Sequence, residues 1–210
     1  FHILGILAFL NYVLISKHLH IFFAFPSTYY ANINKLGKID NLSSVTKEVK
    51  LMLDPNADPF ANTDSAENVP PALFGARDAT DLNWVQLLNS YSCTECGRCS
   101  SVCPANQTGK LLSPRKVMMD TRDRIEDIGN NKNEGKFLLG DYISNEELWA
   151  CTTCNACTDA CPINLDPMSI IVDLRRYLVM EKSSAPTELN NMFSNIENNG
   201  APWQFPAADR

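Results

Sequence analysis

Every cysteine of the chain falls in one of two identical frames, CTECGRCSSVCP from Cys93 to Pro104 and CTTCNACTDACP from Cys151 to Pro162, offset by 58 residues. Each reads C-x2-C-x2-C-x3-C-P, and few chemistries need that spacing. A zinc site takes four ligands around one tetrahedral ion, usually as two distant C-x2-C pairs, so a third cysteine two residues on has no obvious place. A disulfide framework suits small secreted chains, and a dithiol redox motif needs only one C-x2-C. An iron-sulfur cube is large enough that a chain curling round it offers a thiolate at every third residue, as Cys93, Cys96 and Cys99 do.

The fourth cysteine, set before proline, is the most specific part of the signal. This run is the ligation pattern of bacterial ferredoxins, in which that cysteine serves the other cluster when there are two. The rule assigns Cys93, Cys96, Cys99 and Cys161 to one 4Fe-4S cluster and Cys151, Cys154, Cys157 and Cys103 to a second. Pro104 and Pro162 turn the chain away after each fourth ligand. Gly97, Ser100, Ala156 and Ala160 are small enough for backbone N–H groups to approach the sulfurs, or are ordinary turn residues. Glu95, Asp159 and Arg98 stand among the ligands, either as solvated charges or as groups that bias the cluster potentials.

Phe1 to Phe25, FHILGILAFLNYVLISKHLHIFFAF, holds one full charge, Lys17. About 20 apolar residues span a bilayer as a helix, so residues 1–26 are expected to be a transmembrane helix, with a buried core helix as the alternative. No basic segment precedes the run and no A-x-A site comes after it, which argues against a signal peptide. Lys17, Lys35 and Lys38 near its end place the rest of the chain in the cytoplasm, against an inner (cytoplasmic) membrane. That compartment keeps thiols reduced. On a continuous helix His2 and His20 share one face about 27 Å apart, where neutral imidazoles could ligate haem iron. This resembles the last helix of the cytochrome b subunit of respiratory nitrate reductases, and the resemblance implies haem b at His2 and His20.

The rest of the chain reads as all-α. A short amphipathic helix with Val45, Val49, Met52 and Leu53 on one face ends at Asp54 and Pro55. A Pro-, Asn- and Asp-rich linker then runs through Pro70 and Pro71 to Asp81. Thr80 caps a helix whose apolar face is Leu82, Val85 and Leu88. Ser113 with Pro114, the Ser144/Glu147 pair and Asp166 with Pro167 mark three helix starts. Ile170, Ile171, Leu174, Tyr177 and Leu178 line an inner face, and a last helix runs from Thr187 to Asn198, stopped near Gly200. The expected division is 1–26 membrane helix, 27–79 amphipathic helix and linker, 80–186 dicluster domain, and 187–210 terminal helix and linker. The chain starts at Phe1 without methionine and stops at Arg210 in a polar stretch, and is expected to be part of a longer one.

Both frames, the helical spacer and the closing NNGAPW resemble the dicluster helical ferredoxin domain found in the C subunit of heterodisulfide reductase and in the iron-sulfur subunits of glycolate and lactate oxidation. The likeness covers about Thr80 to Trp203. In membrane-bound relatives a cytochrome b-like segment precedes this domain and a domain with CCG motifs comes after it. This chain has no CCG and no further cysteine, so the family's substrate chemistry cannot be assigned to it. Succinate dehydrogenase's iron-sulfur subunit fits worse, because no 2Fe-2S cysteine set precedes Cys93. The resemblance implies a membrane-anchored electron relay between a quinone-linked haem b segment and a separate redox site. The alternative is the iron-sulfur part of a heterodisulfide reductase-like or hydroxy-acid-oxidising enzyme. Expected partners are the membrane, other redox subunits and the quinone pool. A formal net charge of −6 argues against nucleic acid.

Overall fold

The protein, represented by a computed structural model, is described over residues 1–34, 37–54, 73–132 and 135–205. Lys35, Pro70, Pro71 and most of the expected linker, residues 55–72, lie outside the described residues, as do residues 206–210. Among the described residues the secondary structure is helical, with no strand beyond one isolated bridge between Leu139 and Ile143. Three helices come first, α1 (His2–Val13), α2 (His20–Tyr29) and α3 (Ser43–Leu53). Around the cysteines stand α4 (Trp84–Ser92), α5 (Arg98–Ser101), α6 (Pro104–Gln107), α7 (Pro114–Gly129), α8 (Asn145–Trp149) and α9 (Ala156–Asp159). The last two are α10 (Pro167–Arg176) and α11 (Thr187–Asn199).

Side-chain caps fix the helix starts where the sequence places them. The Ser113 hydroxyl accepts the Lys116 N–H ahead of Pro114, and Asp166 accepts the Ser169 N–H ahead of Pro167. Ser144 and Glu147 satisfy each other's N–H groups in a reciprocal box. Gly200, at φ 67°, ends α11 in the left-handed conformation. Thr80 is not a cap: Asp78 caps a short turn at Ala79–Asp81, and Asn83 with Gln86 caps α4.

The core lies between α7 and α10. Val117 and Met118 of α7 meet Ile170, Ile171 and Leu174 of α10, with Leu148 of α8 and Leu138 closing the sides. Each such side chain contributes about 1.5–3 kcal/mol when fully buried. Arg124, 1% exposed, also lies inside. Its Nε and Nη2 donate to Asp78 at 2.8 and 2.6 Å, and the Leu138 N–H reaches the same carboxylate at 3.0 Å. Burial alone would raise the Asp78 pKa, but the Arg124 hydrogen bond and two backbone donors hold it below the usual carboxylate value.

Gly75 is needed for close approach. Its φ is +97°, and a Cβ there would stand 2.4 Å from the Tyr177 nitrogen and 2.5 Å from the Asp173 oxygen. The chain crosses the end of α10 at this point, joined by the Ala76 N–H to the Asp173 carbonyl at 3.0 Å.

One expectation about an apolar face, that of α4, is corrected, while the expected helix before Asp54 is present as α3. In α4 the buried residues are Gln86, Asn89, Ser90 and Ser92, whereas Trp84 is exposed and Val85 and Leu88 are half-buried. The polar groups find partners on neighbouring helices: Gln86 donates to Asp173 of α10 at 2.7 Å, and Asn89 accepts from Ser27 of α2 at 3.0 Å. In α3 the Val49, Met52 and Leu53 side chains are exposed and Val45 is only half-buried.

The expected single helix over residues 1–26 is broken. Ser16 is extended, at φ −121° and ψ 167°, and its hydroxyl accepts the His18 N–H, opening a short tight turn over Lys17–Leu19. A serine hydroxyl that satisfies the backbone locally competes with continued helix. The 12 residues of α1 reach only about 18 Å, against the roughly 30 Å of a hydrocarbon core. Among the described residues no helix is long and apolar enough to cross a membrane. The cytoplasmic placement drawn from Lys17, Lys35 and Lys38 rested on that span. So did the haem b geometry, since exposed His2 on α1 and half-buried His20 on α2 stand on separate helices. The His18 ring lies against Phe9, Tyr12 and His20, at 5.9, 6.2 and 6.5 Å between centroids.

Candidate iron-sulfur site

The two cysteine frames fold alike. Glu95 and Gly97 have φ of 57° and 83°, and their equivalents Thr153 and Asn155 have φ of 54° and 59°. Paired left-handed residues curl the chain so that successive cysteines face inward. For a non-glycine residue this backbone costs about 1–2 kcal/mol, and the curl puts it to use. The Thr153 N–H points at Cys151 Sγ at 3.4 Å, and the Glu95 N–H makes the same bond to Cys93.

Helix α5 starts just after Gly97 and carries Cys99, and α9 starts just after Asn155 and carries Cys157. The two short helices pack on each other. This contact carries the fourth cysteine of each frame across to the other. Cys161 lies within electrostatic reach of Cys93 and Cys99, and Cys103 within reach of Cys151. Cys93, Cys96, Cys99 and Cys161 line one cavity of about 90 Å³ whose walls include Met118, Ile163 and Leu165. Cys157, from the other set, forms part of the same wall, so the two sets of thiols adjoin. Cys103 and Cys157 are buried, whereas Cys96 and Cys154 are exposed, one at the edge of each set.

All eight thiols are free, which removes the disulfide reading. Among the described residues no three His, Cys, Asp or Glu side chains converge tightly enough to hold a single metal ion. The sulfurs of the first set stand round a space instead, and the donor set is four thiols in an apolar enclosure. That fits a 4Fe-4S cube, whose ligands are thiolates and whose potential responds to N–H donors and burial.

The environment of the sulfurs is specific. Burial pushes the Cys93 thiol up, the Glu95 N–H pulls it down, and the charges of Cys99 and Cys161 push it up again. Cys99 is raised by burial against hydrogen bonds from the Ser100 hydroxyl and N–H. At the equivalent place burial pushes Cys157 up to about 12 despite the Thr158 hydroxyl. Cys154 is lowered, chiefly by the Ala156 N–H. Buried thiols held this high keep their protons until a metal takes the sulfur.

Of the small residues, Ser100 and Ala156 supply donors to sulfur, while Gly97 serves the left-handed bend. Glu95 is paired with Arg122 at 2.8 Å, whereas Arg98 and Asp159 are exposed. Sequence reasoning missed Arg175. Its guanidinium donates to the Leu148 and Cys151 carbonyls, each at 2.6 Å, and lies 4.9 Å over the Trp149 ring. Burial lowers its pKa and the Cys151 charge opposes that. The nearest signal was its place one turn past the inner-face residue Ile171.

Residues 92–165 match the family model of the 4Fe-4S dicluster domain. The chain is 29% identical, over its whole length and 32% of the relative's, to the probable iron-sulfur-binding oxidoreductase FadF of Bacillus subtilis. It is 32% identical to the EtfAB:quinone oxidoreductase of Syntrophomonas wolfei, over 75% of this chain and 25% of that one. It is 35% identical to the C subunit of the ferredoxin/F(420)H(2)-dependent CoB-CoM heterodisulfide reductase of Methanosarcina acetivorans, over 47% of this chain and 52% of that one. The chain thus spans about a third or less of the first two relatives. Residues 92–165 are a 4Fe-4S dicluster domain, in a chain homologous to the C subunits of heterodisulfide reductases and to the FadF iron-sulfur protein.

Proposed function

We propose that the chain is the electron-relay part of a larger membrane-associated oxidoreductase, passing electrons through two 4Fe-4S clusters between the quinone pool and a separate redox site. Cys93, Cys96, Cys99 and Cys161 hold the first cluster, and Cys151, Cys154, Cys157 and Cys103 the second. The observation that carries this is the crossing of the fourth cysteines, with Cys161 among the first set of thiols and Cys103 beside Cys151. Each cluster, when bound, supplies a one-electron store. The chain's own residues fix the distance between the two, exclude water through Met118, Ile163 and Leu165, and aim donors from Glu95, Ser100, Thr153 and Ala156 at sulfur.

Contact with a membrane is supported by α1 and α2, where Ile3, Leu4, Ile6, Phe9, Phe22 and Phe25 are exposed. The quinone end is supported by likeness to a quinone oxidoreductase. Neither needs the haem at His2 and His20, whose geometry the break at Ser16 removes. A second reading, the iron-sulfur part of an enzyme acting on a disulfide or hydroxy acid, is favoured by the likeness to the heterodisulfide reductase C subunit of Methanosarcina acetivorans. Anaerobic purification with iron, sulfide and zinc analysis tests the proposal. About eight irons and eight sulfides per chain are expected, and stoichiometric zinc without sulfide would refute it.

A further inference from the structure

Because the frames match position by position at an offset of 58, their differences are informative. Position 98 is arginine where its equivalent, 156, is alanine, and position 101 is serine where 159 is aspartate. Arg98 and Arg115 are exposed and line the cavity shared by Cys93, Cys96, Cys99 and Cys161. Arg115 Nη1 lies 3.8 Å from the point a Gly97 Cβ would occupy, next to exposed Cys96. Among the described residues neither guanidinium has an ion pair, and Glu95 on the same curl is already paired with Arg122. At the other set Cys154 is exposed, as are its neighbours Thr152 and Thr153. The arginine nearest that set, Arg175, is turned inward onto carbonyl oxygens. In a chain of net charge −6, two guanidinium groups thus stand together at the first thiol edge.

Resting on the relay reading above, we propose that the Cys96 edge, framed by Arg98 and Arg115, is the docking surface for an electron-carrying protein that presents a carboxylate-rich face. A guanidinium group donates to both oxygens of a carboxylate at once, which orients the partner as well as attracting it. Complementary charge steers encounter and raises association rates. One electron crosses per encounter, the carrier being oxidised as the cluster is reduced or the reverse, with no bond made or broken. The Cys154 edge, which has no such pair of guanidinium groups among the described residues, is left for the other end of the relay.

Two small oxidants of opposite charge, ferric EDTA and hexaamminecobalt(III), test this on the cluster-loaded chain. The protein is reduced with dithionite and mixed with each in a stopped-flow at low and high salt. Reoxidation by ferric EDTA is expected to slow as salt rises. In the Arg98→Glu/Arg115→Glu variant it should be about fivefold slower than in the parent at low salt. The cobalt complex should react faster with that variant. Both positions lie in the first turn of a helix, where glutamate is well tolerated, so iron and sulfide content serve as the check on folding. An Asp159→Lys variant is expected to leave the ferric EDTA rate within about twofold. Equal rates in parent and double variant, or a ferric EDTA rate that only Asp159→Lys changes, would overturn the docking proposal. Absence of iron and sulfide from the parent would instead overturn the relay reading beneath it.

Discussion

Arg175 donates to the carbonyl oxygen of Cys151 at 2.6 Å and so places a half-buried positive charge against one set of thiols and not the other. The first set has no half-buried guanidinium to itself, because Arg122 beside it is shared with Glu95 at 2.8 Å and Arg98 and Arg115 are exposed to solvent. Net charge and burial are among the levers that set a cluster's potential. The cluster held by Cys103, Cys151, Cys154 and Cys157 is therefore predicted to be the more easily reduced of the two.

Replacing Arg175 with methionine, which keeps much of the packing on Trp149 and removes the charge, tests this. The potential of that cluster should fall by roughly 60 mV, about tenfold in its reduction equilibrium. The other should hardly move. A potentiometric titration followed by electron paramagnetic resonance reads both.

Gly97 and Asn155 occupy the same left-handed position in the two frames, at φ 83° and 59°. Asparagine tolerates that conformation and valine does not. Gly97→Asn should load iron normally, whereas Gly97→Val should lose about half its iron and the resonance of the cluster at Cys93, Cys96 and Cys99. Iron analysis of the two variants side by side separates backbone strain from loss of a small side chain, since among the described residues, chain neighbours aside, no atom comes closer than 3.8 Å to the added Cβ.

The Asp78–Arg124 pair is expected to hold the loop before α4 to α7. Asp78→Asn leaves a buried guanidinium without its counter-charge and should cost about 3 kcal/mol at pH 7. The Asp78 pKa is below its ordinary value of 3.8 in the folded chain. The stabilisation is thus present above that value and lost as pH falls through the lower, folded one. Urea unfolding of parent and variant should show a gap that is full at pH 7 and narrows as pH falls below the ordinary value of 3.8.

Much of this architecture could be read from local chemistry. Ser113, Ser144 with Glu147, and Asp166 start their helices and Gly200 ends one, and Ile170, Ile171, Leu174, Tyr177 and Leu178 are all buried. The features that escaped the sequence depend on partners distant in the chain. Gln86 and Asn89 look like surface residues until Asp173 and Ser27 arrive from other helices. The break at Ser16 escaped because hydropathy sums a window, whereas one hydroxyl bonded to the His18 N–H decides the local backbone. In the site the eight cysteines were plain from spacing. The left-handed Glu95 and Thr153 were not, because neither residue type favours that conformation without the N–H to sulfur bond that it makes possible.

The most direct measurement is electron paramagnetic resonance of the reduced, cluster-loaded Cys103→Ser variant. Cys103 sits in the first frame by sequence and beside Cys151 in space, so the account predicts damage to the cluster of Cys151, Cys154 and Cys157, with the other signal intact. Loss of only the signal belonging to Cys93, Cys96 and Cys99 would contradict it.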